Sequence, residues 1–101
     1  MKNKKKVVAY LKWIPTEEKG RKKPIAVGIR YNPLISFDDQ FIGTSYWSAD
    51  IYVKKQLDNC TSIIELSYLM DNAPSENLFV GSRFSLFEGV NLVAKGVVVE
   101  E

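Results

Sequence analysis

The sequence predicts an all-β fold, a closed six-stranded antiparallel barrel, on three observations. Aromatic residues make up 12% of the 101 residues, a share that favours a sheet over a helix bundle. Short segments of alternating apolar and polar residues recur along the chain, and clusters of Gly, Pro, Asn and Asp separate them. About six short strands in one small domain imply a sandwich or a barrel, and a barrel removes exposed strand edges.

Strand segments in the first half are predicted, in chain order, at residues 7–14, 25–28, 34–37, 41–48 and 49–53. In the first of these, Ala9, Leu11 and Trp13 fall on one face. A charged, proline-bounded loop at residues 15–24 follows it. The second strand begins at residues 25–28 and resumes at residues 34–37. The chain bends between them at Pro33, which cannot donate to a strand ladder. The fourth is an aromatic strand kinked by a glycine, and the fifth is its continuation or another strand.

In the second half, residues 54–59 are predicted to form a polar connection and residues 71–77 a loop. Residues 61–70 fit both the period of a helix and that of a strand, and their strand-like surroundings favour a strand. Residues 78–80 lead into the last hairpin.

A closing hairpin is the clearest local signal in the chain. Phe84 and Leu86 alternate with their neighbours, which is the period of a half-buried strand. Residues 88–91 form the turn, in which Gly89 is free to take a positive φ. The return strand is rich in β-branched residues, and Gly96 within it marks a bulge, a corner or a close approach of backbone.

One domain, residues 7–101, is expected behind a flexible basic tail, residues 1–6. The start of the chain imitates a secretory signal, but Lys12 interrupts the apolar run and no small-residue cleavage site follows. No segment reaches the length of a membrane span, so no membrane contact is expected. A single cysteine, Cys60, suits a reducing compartment, and we therefore expect a soluble, cytoplasmic protein.

The chain contains no histidine and only one cysteine. This composition excludes Ser-His-Asp and Cys-His catalysis and the common His-containing zinc sites. The phosphate-cradling motif Gly-x-x-x-x-Gly-Lys-Ser/Thr is missing from the sequence, so no nucleotide is expected. The sequence therefore predicts a protein that is not an enzyme and holds no cofactor or metal.

Charge is unevenly distributed: residues 1–23 hold nine basic and two acidic residues, and the remainder holds five basic and ten acidic residues. Four basic side chains of the charged loop are candidate contacts for RNA or another acidic partner: Lys19, Arg21, Lys22 and Lys23. The same four residues also fit a solvated loop. Tyr46 and Trp47 fit core packing or, if exposed together, a stacking platform or a protein hot spot.

Two blocks of residues carry a family resemblance. The first runs from Ala9 through Glu17-Glu18 and Gly20-Arg21 to Pro24. The second lies in the closing hairpin and comprises Gly81, Arg83, Phe84, Leu86, Glu88, Gly89, Val93, Gly96, Val97 and Val98. Together they resemble the third, C-terminal domain of translation elongation factor Tu, where a Glu-Glu-Gly-Gly-Arg-like loop and a Gly-x-Arg-Phe-x-Ile-x-Glu-Gly hairpin occur in the same order.

The resemblance implies a six-stranded antiparallel barrel without catalysis of its own. The family domain helps to hold the T-stem of aminoacyl-tRNA and contacts the nucleotide-exchange factor and the GTPase domain. Glu88 and Gly89 match the turn that meets the T-stem backbone, whereas Val90 and Asn91 stand where the family has Gly-Arg.

We therefore expect a stand-alone protein-interaction module that is translation-related and mimics the full factor or acts as its decoy. The expected partner is another protein. The alternative is a module that binds tRNA or another RNA through the basic loop at residues 19–23 and the turn, with Glu88, Gly89 and Asn91 as contacts.

Overall fold

The computed structural model describes residues 5–14, 25–37, 47–73 and 75–101. Within these ranges lie the strands β1 (Val7–Trp13), β2 (Arg30–Tyr31), β3 (Leu34–Phe37), β4 (Trp47–Gln56), β5 (Thr61–Tyr68), β6 (Arg83–Glu88) and β7 (Asn91–Glu100). One turn of 3₁₀ helix, Ser75–Asn77, precedes β6. In the same ranges no helix has the length and apolar character needed to cross a membrane.

Six of the strands close into an antiparallel barrel. Their order around the ring is β4, β3, β6, β7, β1 and β5, and pairing between β5 and β4 completes the ring. The short strand β2 pairs with β4 and lies outside the ring. The predicted six-stranded antiparallel barrel is thus confirmed. Every ring strand has a hydrogen-bonded neighbour on both sides, so none of the six is the edge of an open sheet.

The core fills the inside of the barrel and follows the strand period. In β1, Val7, Ala9, Leu11 and Trp13 are buried and the residues between them face outward, as the alternation predicts. The Trp13 indole N–H donates to the buried Ser62 hydroxyl at 3.0 Å, so this polar group is satisfied inside the core. Other strands contribute the fully buried side chains Ile35, Ile51, Ile64, Leu66, Phe84 and Leu86.

The connection predicted at residues 54–59 is wrong in its first three residues, which belong to the hairpin of β4 and β5. β4 continues through this segment to Gln56, and its last three residues are exposed. An exposed strand end needs no apolar alternation, which is why the sequence there is typical of a loop. The turn is tighter than predicted, because the Asp58 carboxylate accepts hydrogen bonds of 2.9 Å from the N–H groups of Cys60 and Thr61.

The ambiguous segment at residues 61–70 is a strand as far as Tyr68, which confirms the prediction. β5 pairs with β1 on one side and with β4 on the other, so that Ile64 faces Ala9 in the first ladder and Leu66 faces Ile51 in the second. Both ladders point these side chains into the core. Pairing on both sides therefore decides between the two periods that the sequence allows.

The strand predicted at residues 25–28 is wrong, whereas the segment at residues 34–37 is confirmed as β3. Gly28 has a φ of 86°, which turns the backbone and ends any extended run. Its N–H donates to the Val53 carbonyl at 2.8 Å, so the turn still docks on β4. Pairing with β4 begins only at Arg30. Apolar alternation alone did not reveal this turn.

Asn32 and Pro33 interrupt a single line of pairing along β4. β2 and β3 pair with the same edge of β4 in one common register. Between them the Pro33 carbonyl accepts a hydrogen bond from the Ala49 N–H at 2.8 Å, but the proline nitrogen has no hydrogen to donate in return. The Asn32 side-chain amide donates to the Ala49 carbonyl instead, at 3.1 Å. Asn32 thus replaces the backbone donor that Pro33 lacks.

The predicted closing hairpin is confirmed. Its turn joins β6 to β7, and Gly89 there has a φ of 62°. Gly96 is the predicted close approach, because a Cβ at this position would lie 2.4 Å from the Phe84 ring and 2.9 Å from the Tyr10 carbonyl oxygen. The Phe84 ring therefore packs directly against the backbone of β7. The loop at residues 15–24 and most of the aromatic strand at 41–48 lie outside the described residues, and β4 includes the segment at 49–53.

We predict that Asn32→Ala lowers the free energy of unfolding by about 1–2 kcal/mol, because the carbonyl of the buried Ala49 loses its donor. Asn32→Asp should act in the same way, since a carboxylate cannot donate. In a Pro33→Ala background the new backbone N–H takes over, and Asn32→Ala should then cost less than about 0.5 kcal/mol. Urea unfolding of the parent protein, Asn32→Ala, Pro33→Ala and the double variant measures this, with Asn32→Asp unfolded beside them. An equal cost in both backgrounds would disprove the replacement.

We also predict that Gly96→Ala lowers the free energy of unfolding by about 1–3 kcal/mol, because the added methyl group overlaps the Phe84 ring and a backbone oxygen. Phe84→Leu in the Gly96→Ala protein shortens the side chain and should recover part of the loss. Thermal unfolding measures both effects. Unchanged stability in Gly96→Ala would show that the packing is looser than the geometry indicates.

Candidate functional site

The closing hairpin ends in a turn that side-chain contacts anchor at one end of the barrel. The Tyr31 hydroxyl on β2 donates to the Glu88 carboxylate at the end of β6, and the Tyr31 ring lies 6.0 Å from the Trp13 ring. Beyond this anchor Gly89 turns the chain, and the Val90 side chain is 94% exposed at the tip. The turn therefore presents an apolar side chain to solvent and holds its carboxylate at the base.

A second exposed apolar residue lies at the same end. Leu57 begins the turn between β4 and β5 and is exposed. The Trp13 N–H at the end of β1 donates to the Cys60 carbonyl in that turn, and the next N–H of the chain, that of Ile14, donates to the Val93 carbonyl close to the hairpin turn. The end of β1 thus ties both turns together. We call Ile14, Leu57 and Val90 the turn face.

The sequence-predicted RNA contacts are only partly placed. Four of them, together with one of the two candidate aromatics, lie outside the described residues: Lys19, Arg21, Lys22, Lys23 and Tyr46. Glu88, Gly89 and Asn91 lie together in the hairpin turn, where Glu88 is the one charged residue of the segment 88–91. Trp47 is half-buried, and its ring packs edge-on against Tyr68 at 6.3 Å, which fits the core-packing interpretation.

A different basic surface lies on the side of the barrel. It comprises Tyr10, Lys12, Arg83, Lys95 and Val97, which we call the basic strip. The ladders place Lys12 opposite Lys95 and Tyr10 opposite Val97 between β1 and β7, and Arg83 opposite Val97 between β6 and β7. These are the outward positions of the three strands, and all the charged ones are exposed. An open cleft of about 230 Å³ lies there, lined by Tyr10, Arg83, Lys95, Gly96 and Val97.

Three other cations of the barrel, Lys5, Arg30 and Lys54, are paired with carboxylates. Arg30 lies 3.1 Å from Asp50, and Lys54 lies 3.8 Å from Glu65. The Lys5 ammonium lies 2.9 Å from the Glu101 carboxylate and, with a backbone N–H, holds the pKa of that carboxyl below its usual value.

The basic strip lacks such neutralisation. Within the described part of the chain, no carboxylate forms an ion pair with Lys12, Arg83 or Lys95. Lys12 and Lys95 are moreover direct cross-strand neighbours, an arrangement that disfavours the fold because like charges repel across a ladder. The strip therefore carries a concentrated positive charge that the described residues do not balance.

Sequence reasoning missed this surface because its members lie on three strands. Each cation occupies an outward position of an alternating strand, where a charged residue is ordinary and does not indicate a binding site. The alternation in the sequence predicts which residues of each strand face outward, but it does not predict that β7 pairs with both β1 and β6. Only the register brings Lys12, Lys95 and Arg83 together.

The described ranges also show what the barrel offers for metal binding and for thiol chemistry. They contain no group of three or more Cys, Asp or Glu side chains placed to hold a metal ion. Cys60 is a free, half-buried thiol in the turn between β4 and β5. Two described surfaces that suit binding are the apolar turn face and the basic strip.

Neither a scan against protein-family models nor a search of curated proteins finds a match for this chain. The class that the structure defines is a closed antiparallel β-barrel. The resemblance to the third domain of elongation factor Tu stays a prediction that rests on the two blocks of residues.

We predict that Lys95→Glu raises the free energy of unfolding by about 0.5 kcal/mol, because it places a carboxylate opposite Lys12 where two ammonium groups now face each other. The gain should fade in about 1 M salt, which screens surface charges. Urea unfolding at low and high salt measures it.

Lys54→Glu is the matched control, since the same charge change there sets a carboxylate against Glu65 and should lower stability. If both variants shift stability in the same direction, the repulsion between Lys12 and Lys95 is not significant.

Proposed function

We propose that this barrel is a non-catalytic protein-interaction module that binds through its turn face. The observation that carries the proposal is Val90, which is 94% exposed at the tip of a hairpin turn. An apolar side chain held out on a short turn loses little conformational entropy on binding, so its burial by a partner is favourable. Leu57 at the same barrel end enlarges the apolar area that a partner would cover.

The charge of the turn favours a protein over RNA at this face. Glu88 is the charged residue of the turn, and Tyr31 engages its carboxylate. Phosphate recognition needs cations or free N–H donors, and the family's Gly-Arg is Val90-Asn91 here. Binding of tRNA through residues 19–23 and this turn remains the alternative, and its basic half lies outside the described residues.

The resemblance makes the translation machinery the first place to look for the partner. A barrel of this type would compete with the third domain of the full factor for a shared partner, as a mimic or a decoy. The absence of histidine and the single cysteine of the sequence support a role without catalysis.

A photo-reactive amino acid at position 90 tests the proposal. In living cells it should form one discrete cross-linked protein product, because the side chain at the tip is buried by the partner. The product should persist after RNase treatment. Excess of the isolated third domain of elongation factor Tu should reduce it if the decoy role is correct. Val90→Asp in the tagged protein should abolish co-purification of the same product.

Position 99 supplies the control, because Val99 is exposed near the end of β7, away from the turn face. Identical products from positions 90 and 99 would show that the turn face has no specific partner. Loss of the product on RNase treatment would favour the RNA alternative.

A further inference from the structure

We propose that the basic strip binds the sugar–phosphate backbone of a single-stranded nucleic acid, with the Tyr10 ring stacking against a base. This surface lies on the side of the barrel formed by β6, β7 and β1 and shares no residue with the turn face. The inference therefore stands or fails separately from the protein-interaction proposal.

The basic strip carries positive charge that no described carboxylate balances. Lys12, Lys95 and Arg83 stand on three adjacent strands, and Arg83 is two residues further along the ladder than the row of Lys12 and Lys95. At a strand spacing of ~4.8 Å and a rise of ~3.4 Å per residue, Lys12 and Arg83 lie about 12 Å apart with Lys95 between them. The described residues provide no carboxylate partner for them, and two of the three repel each other across a ladder. A polyanion would remove this repulsion. Features that disfavour a fold without a compensating contact are typical of binding surfaces.

The shape of the basic strip also suits a nucleic acid strand. Arg83 and Lys95 line the same open cleft as Tyr10, so the cations border an aromatic side chain. Gly96 contributes only backbone to the cleft floor, because its missing side chain leaves room for the Phe84 ring on the inside of the barrel. A shallow, open cleft of about 230 Å³ suits an extended chain that passes across it.

The combination favours a single strand over the other polyanions. An acidic peptide would satisfy the cations but has no planar group at each step for Tyr10. A duplex presents its phosphates but keeps its bases stacked inside. A single strand offers both a phosphate for each cation and a free base face for the ring, which is how non-specific single-strand binders work. This mode of binding uses phosphates and a base face and no contact to the 2′-OH, so we expect oligouridine and oligothymidine to bind alike.

Fluorescence anisotropy with labelled oligouridine and oligothymidine of about 12 nucleotides tests the proposal. Three phosphate contacts predict a slope of about −2 in a plot of log affinity against log salt, since each single-strand contact contributes ~0.7. Raising salt from about 50 to 200 mM should then weaken binding about 20-fold.

Variants of the strip should separate charge from stacking. Lys12→Ala and Arg83→Ala should each reduce the magnitude of the salt slope by about 0.7. Lys95→Glu should weaken binding at least about tenfold. It is also expected to be no less stable than the parent protein, so loss of binding cannot be ascribed to unfolding. Tyr10→Ala should weaken binding about tenfold with little change in salt slope, and Tyr10→Phe should retain binding.

Lys54→Glu is the matched control, because it makes the same charge change at a cation already paired with Glu65. It should leave binding within about twofold of the parent protein once salt screens distant charges. Equal losses in Lys54→Glu and Lys95→Glu would overturn the assignment to this surface, as would no binding at the lowest salt. Polyglutamate and a blunt duplex serve as unlabelled competitors. If either competes as well as oligouridine, and Tyr10→Ala has no effect, the partner is not a single strand.

Discussion

The pairing of β4 on both of its edges is the constraint on which the rest of the structure depends. β5 takes one edge, and β3 together with β2 takes the other, so β4 is the strand at which the ring closes. The buried residues of this strand, Ala49, Ile51 and Val53, face a core that exists only because the ring is closed. The edge shared by β2 and β3 is continuous despite Pro33, because the Asn32 amide replaces the missing donor. The Asn32 side chain thus keeps the pairing along this edge of β4 continuous where the ring closes.

Closure also decides where binding can occur. Among the described residues each of the six ring strands pairs on both sides, so the ring does not offer the open edge on which many domains add a partner's strand. Function is left to side chains on the turns and on the outer face. The turn face and the basic strip are surfaces of these two kinds. Their chemistry is opposite, since one presents Val90 and the other presents Lys12, Arg83 and Lys95.

The two surfaces differ in what they cost the fold. The exposed apolar side chain of Val90 on its turn does not destabilise the residues around it. Two lysines facing each other across β1 and β7 reduce stability, although a carboxylate at either position would relieve the repulsion. Proteins commonly retain such destabilising contacts where a ligand supplies the missing interaction. Neutralised pairs such as Lys54 with Glu65 on the same barrel make the contrast clear.

The sequence by itself determined the fold class, the closing hairpin and the exclusion of histidine chemistry, because alternation, turn glycines and composition are local properties. It also marked Gly96 as a bulge, a corner or a close approach of backbone, and the tertiary structure decided for the close approach. It failed at residues 25–28 and 54–56, where apolar alternation did not reveal the turn at Gly28 and exposed polar residues resembled a loop in a strand. The turn Glu88–Asn91 was readable, but the engagement of Glu88 by Tyr31 was not. The basic strip was decided by tertiary structure alone, because strand register, a long-range property, brings distant outward residues onto one surface.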